Sequence, residues 1–522
     1  MVTDEEALAA ARARVAALQT ALQAQDPGAR LIETHISWVL LAADLAYKLK
    51  KPVRLPFLDF TTLDRRRRSC EEELRLNRRF APSLYLDVVE VHDSPGGARF
   101  GGEGEPLDVA LRMRRFPDGA LWSERLVTGA LSPAQVDSFA TRLADFHRVA
   151  PVAGVASGFG TATCHARIID RVVAAIDAWQ SGTAIPEPGW PRLRRWLEDE
   201  QARLTTFWRT RRSDGRIREC HGDLHLGNVV QLGDEATAFD AIDFDEELRW
   251  IDVIDDLAFL AMDLMAHHRS DLAFRAIDAY LQASGDYDAL PGLRFSLVER
   301  ALVRAQVVAL AEAEHISPDD PCCSARYLEI ACALSRSGDA RLAITHGLPG
   351  SGKTFVSQCL LEVAGAIRVR SDVERKRLFG LRPREATRDR VAGAVYDAPA
   401  TARTYARLRA VACTALRAGW PIIVDAAFLT RFERAEFAAL AAAVASPFSI
   451  VDCKADMPSL RRRVAKRLDS GIDASEADPS VLERLAGVAE PLTDEEAAAV
   501  IVVDTAQPET LGALPQRWLA AT

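Results

Sequence analysis

One eight-residue segment restricts the possible folds of this chain more than any other feature. Residues 347–354 read Gly-Leu-Pro-Gly-Ser-Gly-Lys-Thr and match the pattern G-x-x-x-x-G-K-[ST] at every position. A short apolar run, 342–345, precedes the segment, and a helical pattern, 355–362, follows it. Glycines let the backbone wrap around a phosphate with its N–H groups, and a helix N-terminus adds a favourable dipole. The segment therefore predicts a phosphate-binding loop between a strand and a helix.

The side chains of this loop, a Walker A motif, predict specific contacts with ATP and magnesium. The ammonium of Lys353 would reach the β- and γ-phosphates, and the hydroxyl of Thr354 would ligate Mg²⁺. Apolar runs and helical patterns alternate after residue 340, which favours a parallel sheet. The predicted ATP-binding residues of the loop are Gly347, Leu348, Pro349, Gly350, Ser351, Gly352, Lys353 and Thr354.

Charged residues follow two further predicted strands of the same segment. Asp372 comes just after the run 367–369, where a carboxylate can accept the proton of an attacking hydroxyl. Arg375 would help to hold the substrate or its phosphate. The run 422–424 ends in Asp425, which is suited to Mg²⁺ or its water. The arginine-rich stretch 461–467 predicts either a lid over the triphosphate or a solvated helical face.

These residues resemble the small kinases of the P-loop superfamily, near the polynucleotide kinases and the zeta-toxin-type kinases. The resemblance covers most of residues 340–522. It implies that Asp372 activates the acceptor hydroxyl. It also implies that Arg463 and Arg467 stabilise the transferring phosphate.

A second set of polar residues lies in the first half of the chain. Residues 221–228 read His-Gly-Asp-Leu-His-Leu-Gly-Asn, and Asp243 lies twenty residues after Asp223. In phosphoryl transfer, one carboxylate accepts the acceptor's proton, while an Asn and a second Asp hold the metal. The spacing predicts Asp223 as the base, and Asn228 and Asp243 as the metal ligands. His221 is expected to shape the loop by hydrogen bonding.

This loop resembles that of the aminoglycoside phosphotransferase and choline kinase family, which carries His-Gly-Asp-x-x-x-x-Asn before an Ile-Asp-Phe-type segment. The resemblance covers roughly residues 30–335 and is specific over 221–256. It implies a protein-kinase-like bilobal fold. Asp255 and Asp256 match a downstream aspartate pattern with an architectural role.

The same resemblance implies a small-lobe lysine for the α- and β-phosphates and a glutamate that orients it. Side chains alternate along a strand, so Lys48 and Lys50 share one face. Lys48 is preferred, with Lys50 in reserve. Glu73 is the expected partner, with Glu72 behind it. The first hairpin turn, 42–44, contains no glycine, so no glycine-rich lid is expected over the nucleotide.

The length of the chain and the breaks between its predicted elements indicate a multidomain protein of mixed α/β and α+β class. A chain of 522 residues exceeds what one hydrophobic core serves. We predict an N-terminal helical extension, 1–29, and a phosphotransferase-like domain, 30–337. Its small lobe covers 30–117 and its helical lobe 118–337. A P-loop kinase domain, 338–522, completes the chain.

Composition excludes several classes of protein. The net charge is −9, from 65 Lys and Arg against 74 Asp and Glu, which argues against general nucleic-acid binding. No apolar run approaches the length of a membrane span. Nine cysteines are scattered without a Cys-x-x-Cys pair, which argues against a disulfide framework or a zinc site and favours a reducing cytoplasm.

The sequence therefore predicts an ATP- and Mg²⁺-dependent phosphotransferase, a kinase with an alcohol group as acceptor. Two nucleotide-binding centres would transfer the γ-phosphoryl group to hydroxyls of small molecules. Two alternatives remain open. One module could instead sense nucleotide and regulate the other, or the C-terminal module could phosphorylate nucleic-acid ends.

Overall fold

The computed structural model describes residues 4–55, 58–154, 156–180, 189–313, 322–336, 338–383, 385, 395, 397–470 and 474–521. The chain forms two compact units whose segments alternate in sequence. The first unit takes in residues 1–135, 150–164 and 212–256, and the second takes in 136–149, 165–211 and 257–522. Within the described residues, no helix combines the length and apolar composition needed to cross a membrane.

The first unit is built on a six-stranded sheet whose neighbouring strands are all antiparallel, in the order β1-β2-β3-β8-β6-β7. Its helices are α1 (Asp4–Gln23), α2 (Leu63–Asn77), α3 (Trp122–Val127) and α7 (Glu246–Arg249). Its strands are β1 (Arg30–Glu33), β2 (Ser37–Ala42), β3 (Leu45–Lys50), β4 (Arg54–Leu55), β5 (Leu58–Asp59), β6 (Tyr85–Ser94), β7 (Gly97–Phe100), β8 (Asp108–Arg114), β9 (Ile217–Glu219), β10 (Val229–Leu232), β11 (Glu235–Ala238) and β12 (Trp250–Asp252).

Helices cover both faces of the six-stranded sheet. On one face, Val15 and Leu18 of α1 are buried in a cluster that contains Trp38. Helix α1, which lies within the extension predicted over 1–29, thus contributes to the core of this sheet. On the other face lies α2, in a cluster that includes Leu111. Lys48 is in register with Leu111, so Lys48 and the residue two places on, in β3, face α2.

The hairpin predicted around the turn at 42–44 is present as β2 and β3. A further strand precedes it, because β1 pairs with β2 from Arg30 opposite Leu41 to Glu33 opposite Trp38. The turn at 42–44 therefore closes the second hairpin of the sheet and not the first, which corrects the sequence interpretation. β1 is short and mostly exposed, with no alternation of apolar residues, so it gives no strand signal.

The second unit combines helices with a five-stranded parallel sheet in the order β14-β15-β13-β16-β17. Its helices are α4 (Pro133–Val149), α5 (Ala162–Gln180), α6 (Gly189–Ser213), α8 (Val253–Ala266), α9 (Ser270–Ser284), α10 (Leu290–Ala313), α11 (Ser324–Leu334), α12 (Lys353–Ala364), α13 (Ser371–Leu378), α14 (Ala398–Arg417), α15 (Arg431–Ala443), α16 (Met457–Ser470), α17 (Pro479–Val488), α18 (Pro508–Gly512) and α19 (Leu514–Ala520). Its strands are β13 (Leu342–His346), β14 (Ile367–Arg370), β15 (Ile422–Asp425), β16 (Phe448–Lys454) and β17 (Val500–Asp504).

The parallel sheet brings the predicted polar residues of the C-terminal segment to one edge. β13 lies between β15 and β16, and Arg370 is in register with Asp425. Carboxyl ends of parallel strands meet at the same edge, where open α/β sheets bind ligands. The loop after β13, the start of α13 and the end of β15 therefore lie together. The mixed α/β fold class with a parallel C-terminal sheet is confirmed.

The helices that precede the parallel sheet belong to the same compact unit as the sheet. The indole of Trp420 donates a hydrogen bond to the carbonyl of Leu290, 3.1 Å away. The predicted domain boundary at 337/338 falls inside this unit, and Ser337 itself lies outside the described residues. The predicted domain limits therefore stay a prediction.

Candidate active sites

A buried aspartate fixes the start of the loop 221–228. The backbone N–H groups of His221 and Gly222 donate to the two carboxylate oxygens of Asp256, at 2.7 and 2.8 Å. This is an architectural role, as expected for the downstream aspartate. Gly222 has a φ of +88°, and a Cβ on it would lie 2.5 Å from the carbonyl oxygen of Leu248. The motif needs glycine here for both conformation and space.

The position of Gly222 yields a testable prediction. Gly222→Ala should distort the loop, because the backbone must move away from Leu248. A displacement of about 1 Å costs roughly 10²-fold in rate, so phosphoryl transfer that depends on this loop should fall by about that factor. Gly233→Ala is the matched control, since Gly233 has a φ of +61° with nothing within 4 Å of its added Cβ. Equal activities of the two variants would contradict the prediction.

The ring of His221 holds the loop in shape. Its Nε2 lies 2.8 Å from the carbonyl oxygen of Phe239, and its Nδ1 lies 3.3 Å from the backbone N of Asp223. A carbonyl can only accept, so Nε2 carries the proton and Nδ1 accepts from the Asp223 N–H. Burial lowers the pKa of His221. The neutral ring therefore has the hydrogen-bonding role expected from the sequence.

Asp223 and Asn228 lie side by side, as their spacing predicts. The side-chain amide of Asn228 donates to the Asp223 carbonyl at 2.9 Å and to its carboxylate Oδ2 at 3.2 Å. The Nε2 of His225 lies 3.6 Å from the same carboxylate. The side chain of Asp223 is 36% exposed, whereas Asn228 is buried. A carboxylate that is held in place yet accessible can receive a proton from a bound hydroxyl.

Two lysines of β3 share one buried glutamate of α2. Glu73 Oε1 lies 2.8 Å from Lys48 Nζ, and Glu73 Oε2 lies 2.6 Å from Lys50 Nζ. Lys50 also contacts Asp243 at 3.0 Å, and Lys48 contacts Asp240. The predicted lysine–glutamate pair is therefore brought together with the predicted metal ligand. Both lysines contact Glu73, so these contacts do not favour one of them as the nucleotide-binding lysine.

The acidic neighbours keep both lysines charged. Burial alone would lower the pKa of Lys48, but the carboxylates of Asp240 and Glu73 raise it well above its usual value. The pKa of Lys50 is raised in the same way by Asp243 and Glu73, against the effect of burial. Burial tends to raise the pKa of Asp240, yet the charge of Lys48 lowers it. The cluster is thus an array of fixed charges.

Asp240 is a site residue that the sequence analysis missed. Its φ is +62°, a left-handed conformation that is uncommon for residues other than glycine. Its backbone N–H donates to the hydroxyl of Tyr85 at 3.0 Å. The backbone N–H of Ile242 donates to the His221 carbonyl at 3.1 Å, which aligns this segment with the loop. The available signal was a second aspartate three residues before Asp243. It was missed because the motif match had already assigned Asp243 as the metal ligand.

The glycine-rich loop of the second unit has the shape that its sequence predicts. Gly347 and Gly350 have φ values of +139° and +85°. A Cβ on Gly347 would lie 2.7 Å from the carbonyl oxygen of Cys453, so larger side chains do not fit. The ammonium of Lys353 donates to the carbonyls of Gly347 and Leu348 at 2.8 and 2.9 Å. This cradle of backbone and cation fits a bound phosphate chain.

The charges around Lys353 identify the acidic residues of this site. Burial lowers the pKa of Lys353, while the negative charges of Asp425 and Asp372 act to raise it and the positive charge of Arg467 lowers it further. The two predicted carboxylates and one predicted lid arginine therefore act electrostatically on the loop lysine. Asp372 lies in the first turn of α13, directly after β14. Thr354 lies in the first turn of α12.

The carboxylate of Asp425 is buried at the end of β15. Its Oδ2 lies 3.4 Å from the hydroxyl oxygen of Ser357 and 3.4 Å from Nε of Arg370. The oxygens of Asp425 and Thr354 are the donor type that Mg²⁺ prefers. The predicted magnesium ligands thus fit the ion. Ser357 and Arg370 were missed, because nothing in the local sequence pattern pairs them with a residue so distant in sequence.

The remaining predicted arginines are engaged with the protein itself. Arg375 is buried and donates to the Val395 carbonyl at 3.0 Å and to the Thr401 hydroxyl at 3.2 Å. Arg463 donates to the carbonyl of Gly350 at 3.2 Å and to the Thr505 hydroxyl at 2.8 Å. Arg467 donates to the Ala477 carbonyl at 3.1 Å. Contact of these arginines with phosphate stays a prediction.

Comparison with known proteins matches two segments of the chain to two families. Residues 46–295 match the phosphotransferase enzyme family, and residues 342–492 match a AAA domain family. The chain joins a phosphotransferase-family segment to a P-loop segment. The protein is therefore a phosphotransferase that acts on hydroxyl acceptors, and both the predicted resemblance and the predicted enzyme class are confirmed. Kinase-like families of these kinds generally use ATP and Mg²⁺.

Similar proteins cover one or both segments. Uncharacterized proteins of Mycobacterium tuberculosis and Mycobacterium bovis are 29% identical over 447 residues, which is 85% of this chain and 87% of each relative. A choline/ethanolamine kinase family protein from Mesorhizobium loti is 16% identical with a TM-score of 0.37, over 64% of this chain and 94% of that one. A sugar kinase from Janibacter is 18% identical with a TM-score of 0.27, over 35% and 96%.

Proposed function

We propose that this phosphotransferase has two separate ATP- and Mg²⁺-dependent centres, each of which transfers the γ-phosphoryl group to a hydroxyl of a small molecule. The observation that carries the proposal is the duplication of a complete set of groups. Each set holds a lysine, oxygen ligands for a metal ion and a carboxylate suited to act as base. When bound, Mg²⁺ neutralises charge on the phosphate oxygens.

At the first centre, Asp223 accepts the proton of the acceptor hydroxyl, and Asn228 and Asp243 hold the metal ion. The ammonium of Lys48 or Lys50 approaches the α- and β-phosphates, oriented by Glu73. Three observations support these roles: Asn228 contacts Asp223, the Asp223 carboxylate is exposed, and Glu73 contacts both lysines.

At the second centre, the backbone of residues 347–352 encloses the phosphates, and Lys353 leaves its two loop carbonyls to contact them. Thr354 and Asp425 hold the metal ion. Asp372, in the first turn of α13 directly after β14, accepts the acceptor proton. Arg463, which donates to the loop carbonyl of Gly350, and Arg467, whose charge acts on Lys353, approach the transferring phosphate. The contacts of Arg375 support a further role in holding residues 395 and 401.

The acceptors are small hydroxyl compounds rather than nucleic-acid ends. A net charge of −9 opposes the approach of a polyanion, which argues against an end kinase. The match of residues 46–295 to the phosphotransferase enzyme family supports a small acceptor at the first centre.

The test uses radiolabelled ATP with the wild type and Asp372→Asn against a library of alcohols, sugars, aminoglycosides and oligonucleotides. Loss of a general base costs about 10²–10⁴-fold, so labelling of one acceptor class should fall by that factor while nucleotide binding persists. Labelling of the other class should remain at the wild-type rate. Wild-type labelling of oligonucleotide ends alone, or unchanged labelling of all acceptors in the variant, would refute the assignment.

A second candidate, in which the first unit senses nucleotide and regulates the other centre, has one observation in its favour. Lys50 and Ser69 both engage the Oδ2 of Asp243, the oxygen proposed to hold the metal. A sensor must bind nucleotide but need not transfer a phosphoryl group. Comparison of Asp223→Asn with Lys48→Met, at ATP concentrations that saturate the second centre, separates the candidates. A sensor changes the rate of the second centre only in Lys48→Met, which weakens nucleotide binding by the first unit, whereas a pure enzyme changes it in neither variant.

A further inference from the structure

Arg368 of β14 forms a buried ion pair with Asp278 of α9. Its Nε lies 3.1 Å from Oδ1 and its Nη2 lies 2.6 Å from Oδ2 of that carboxylate, in a two-pronged geometry. The side chains are only 4% and 6% exposed. Burial of two charges is costly unless further hydrogen bonds satisfy them. The remaining hydrogen bonds of Arg368 therefore show which groups the ion pair holds in place.

The other hydrogen bonds of Arg368 reach the first turns of α12. Nη1 donates to the backbone carbonyl of Thr354 and to the hydroxyl of Ser357, both at 3.2 Å, and Nη2 donates to the side-chain carbonyl of Gln358 at 2.6 Å. The Ser357 hydroxyl oxygen in turn lies 3.0 Å from the Thr354 carbonyl oxygen and 3.4 Å from Oδ2 of Asp425. One guanidinium thus supports both proposed magnesium ligands, Thr354 through its own backbone and Asp425 through Ser357.

The partner of Arg368 comes from the other family segment. Asp278 lies within residues 46–295, matched to the phosphotransferase enzyme family, while Arg368 lies within 342–492. Tyr287, from the first segment too, donates its hydroxyl proton to the backbone carbonyl of Arg368 at 3.2 Å. These residues all belong to the second compact unit.

We propose that Asp278 and Arg368 are positioning residues for the metal ion of the second centre, so that helix α9 of the phosphotransferase segment is a working part of the P-loop site. This inference rests on the proposed function of the second centre. Arg368 holds the Ser357 hydroxyl toward Asp425 and fixes the turn that carries Thr354. Asp278 holds the guanidinium in the orientation that makes both contacts.

The chain offers a matched control for a purely structural role. Arg275 of α9 and Glu362 of α12 connect the same two helices at 2.6 Å, with Arg275 also contacting Asp137. The described contacts of Arg275 include none with Thr354, Ser357 or Asp425. If the two helices only need to be fastened together, Arg275→Met should act like Asp278→Asn.

The experiment measures Mn²⁺ binding in the presence of ADP by electron paramagnetic resonance, with full-length protein. Asp243→Asn is present throughout so that the signal reports the second centre. Substitution of residues that contact and orient a metal's ligands typically lowers metal affinity by about 10–100-fold. Asp278→Asn and Arg368→Lys should weaken Mn²⁺ affinity by about that factor. ADP affinity measured in EDTA and transfer that depends on Asp223, in the absence of Asp243→Asn, should stay near wild type.

Two results would overturn the inference. One is Mn²⁺ affinity in Asp278→Asn and Arg368→Lys equal to that in Arg275→Met. The other is an equal loss of ADP affinity with and without metal, which indicates general damage to the loop. Asp278→Asn leaves the buried Arg368 cation without its counter-ion and Arg368→Lys loses the two-pronged geometry, so both variants should melt below wild type. Mn²⁺ affinity is therefore measured at a temperature at which every variant is folded. Asp243→Asn protein that bound no Mn²⁺ with ADP, without any further substitution, would instead refute the proposed second centre, and the inference with it.

Discussion

Asp223→Asn should abolish most phosphoryl transfer at the first centre while nucleotide binding survives. The amide cannot accept the proton of the acceptor hydroxyl, and loss of a general base costs about 10²–10⁴-fold in rate. The substitution keeps the backbone carbonyl of Asp223 that Asn228 contacts. It also leaves the described contacts among Lys48, Glu73 and Lys50 intact. Single-turnover transfer of labelled phosphate and equilibrium binding of ATP check the two parts of this prediction.

Asp234→Asn provides the control for removal of a negative charge nearby in sequence. Asp234 is exposed between β10 and β11. It should leave transfer unchanged. A similar loss of rate in both variants would mean that net charge, and not proton transfer by Asp223, decides the activity. Retained activity in Asp223→Asn would mean that this carboxylate is not the base.

Lys353→Met should remove transfer at the second centre and weaken its ATP binding. A donor aimed at developing charge is worth about 10²–10³-fold in rate. The change should not destabilise the protein without ligand. Burial lowers the pKa of Lys353, so the folded state disfavours its charge, and a neutral side chain of similar length relieves that cost. The carbonyls of Gly347 and Leu348 lose their ammonium donor, which offsets this gain, so the melting temperature without ATP should stay near that of wild type.

The stabilisation that ATP confers gives a second measurement of the same variant. A ligand that binds only the folded state raises stability with the logarithm of one plus the ratio of its concentration to its Kd, so weaker binding gives less stabilisation. ATP should therefore raise the melting temperature less in Lys353→Met than in wild type. Lys454→Met is the control, since Lys454 is a lysine of the same sheet whose side chain is 62% exposed. An ATP response of Lys353→Met equal to that of the control would contradict the assignment.

Short sequence motifs predicted those parts of both sites in which neighbouring residues supply both the reactive groups and the backbone conformation. The spacing of Gly347, Gly350 and Lys353 encodes both the left-handed φ values and the cation of the loop. Likewise, Asp223 and Asn228 are five residues apart and meet directly. In each case a local segment is enough to form the geometry, so the sequence alone reveals it.

Contacts between distant residues could not be predicted in this way. Arg368 and Asp278 are ninety residues apart, and neither belongs to a recognisable motif. Asp240 pairs with Lys48, 192 residues away, from a backbone conformation that no pattern signals. The choice between Lys48 and Lys50 also stayed open for a physical reason. Alternation places both on one face of β3, and Glu73 has an oxygen for each.

Two independent centres of phosphoryl transfer in one chain should form separable products. The most direct measurement is the set of labelled products formed from radiolabelled ATP and the acceptor library by wild type, Asp223→Asn, Lys353→Met and the double variant. We expect each single variant to lose a different product and the double variant to lose both. Loss of the same product in both single variants, or an unchanged product set in either, would contradict two independent centres.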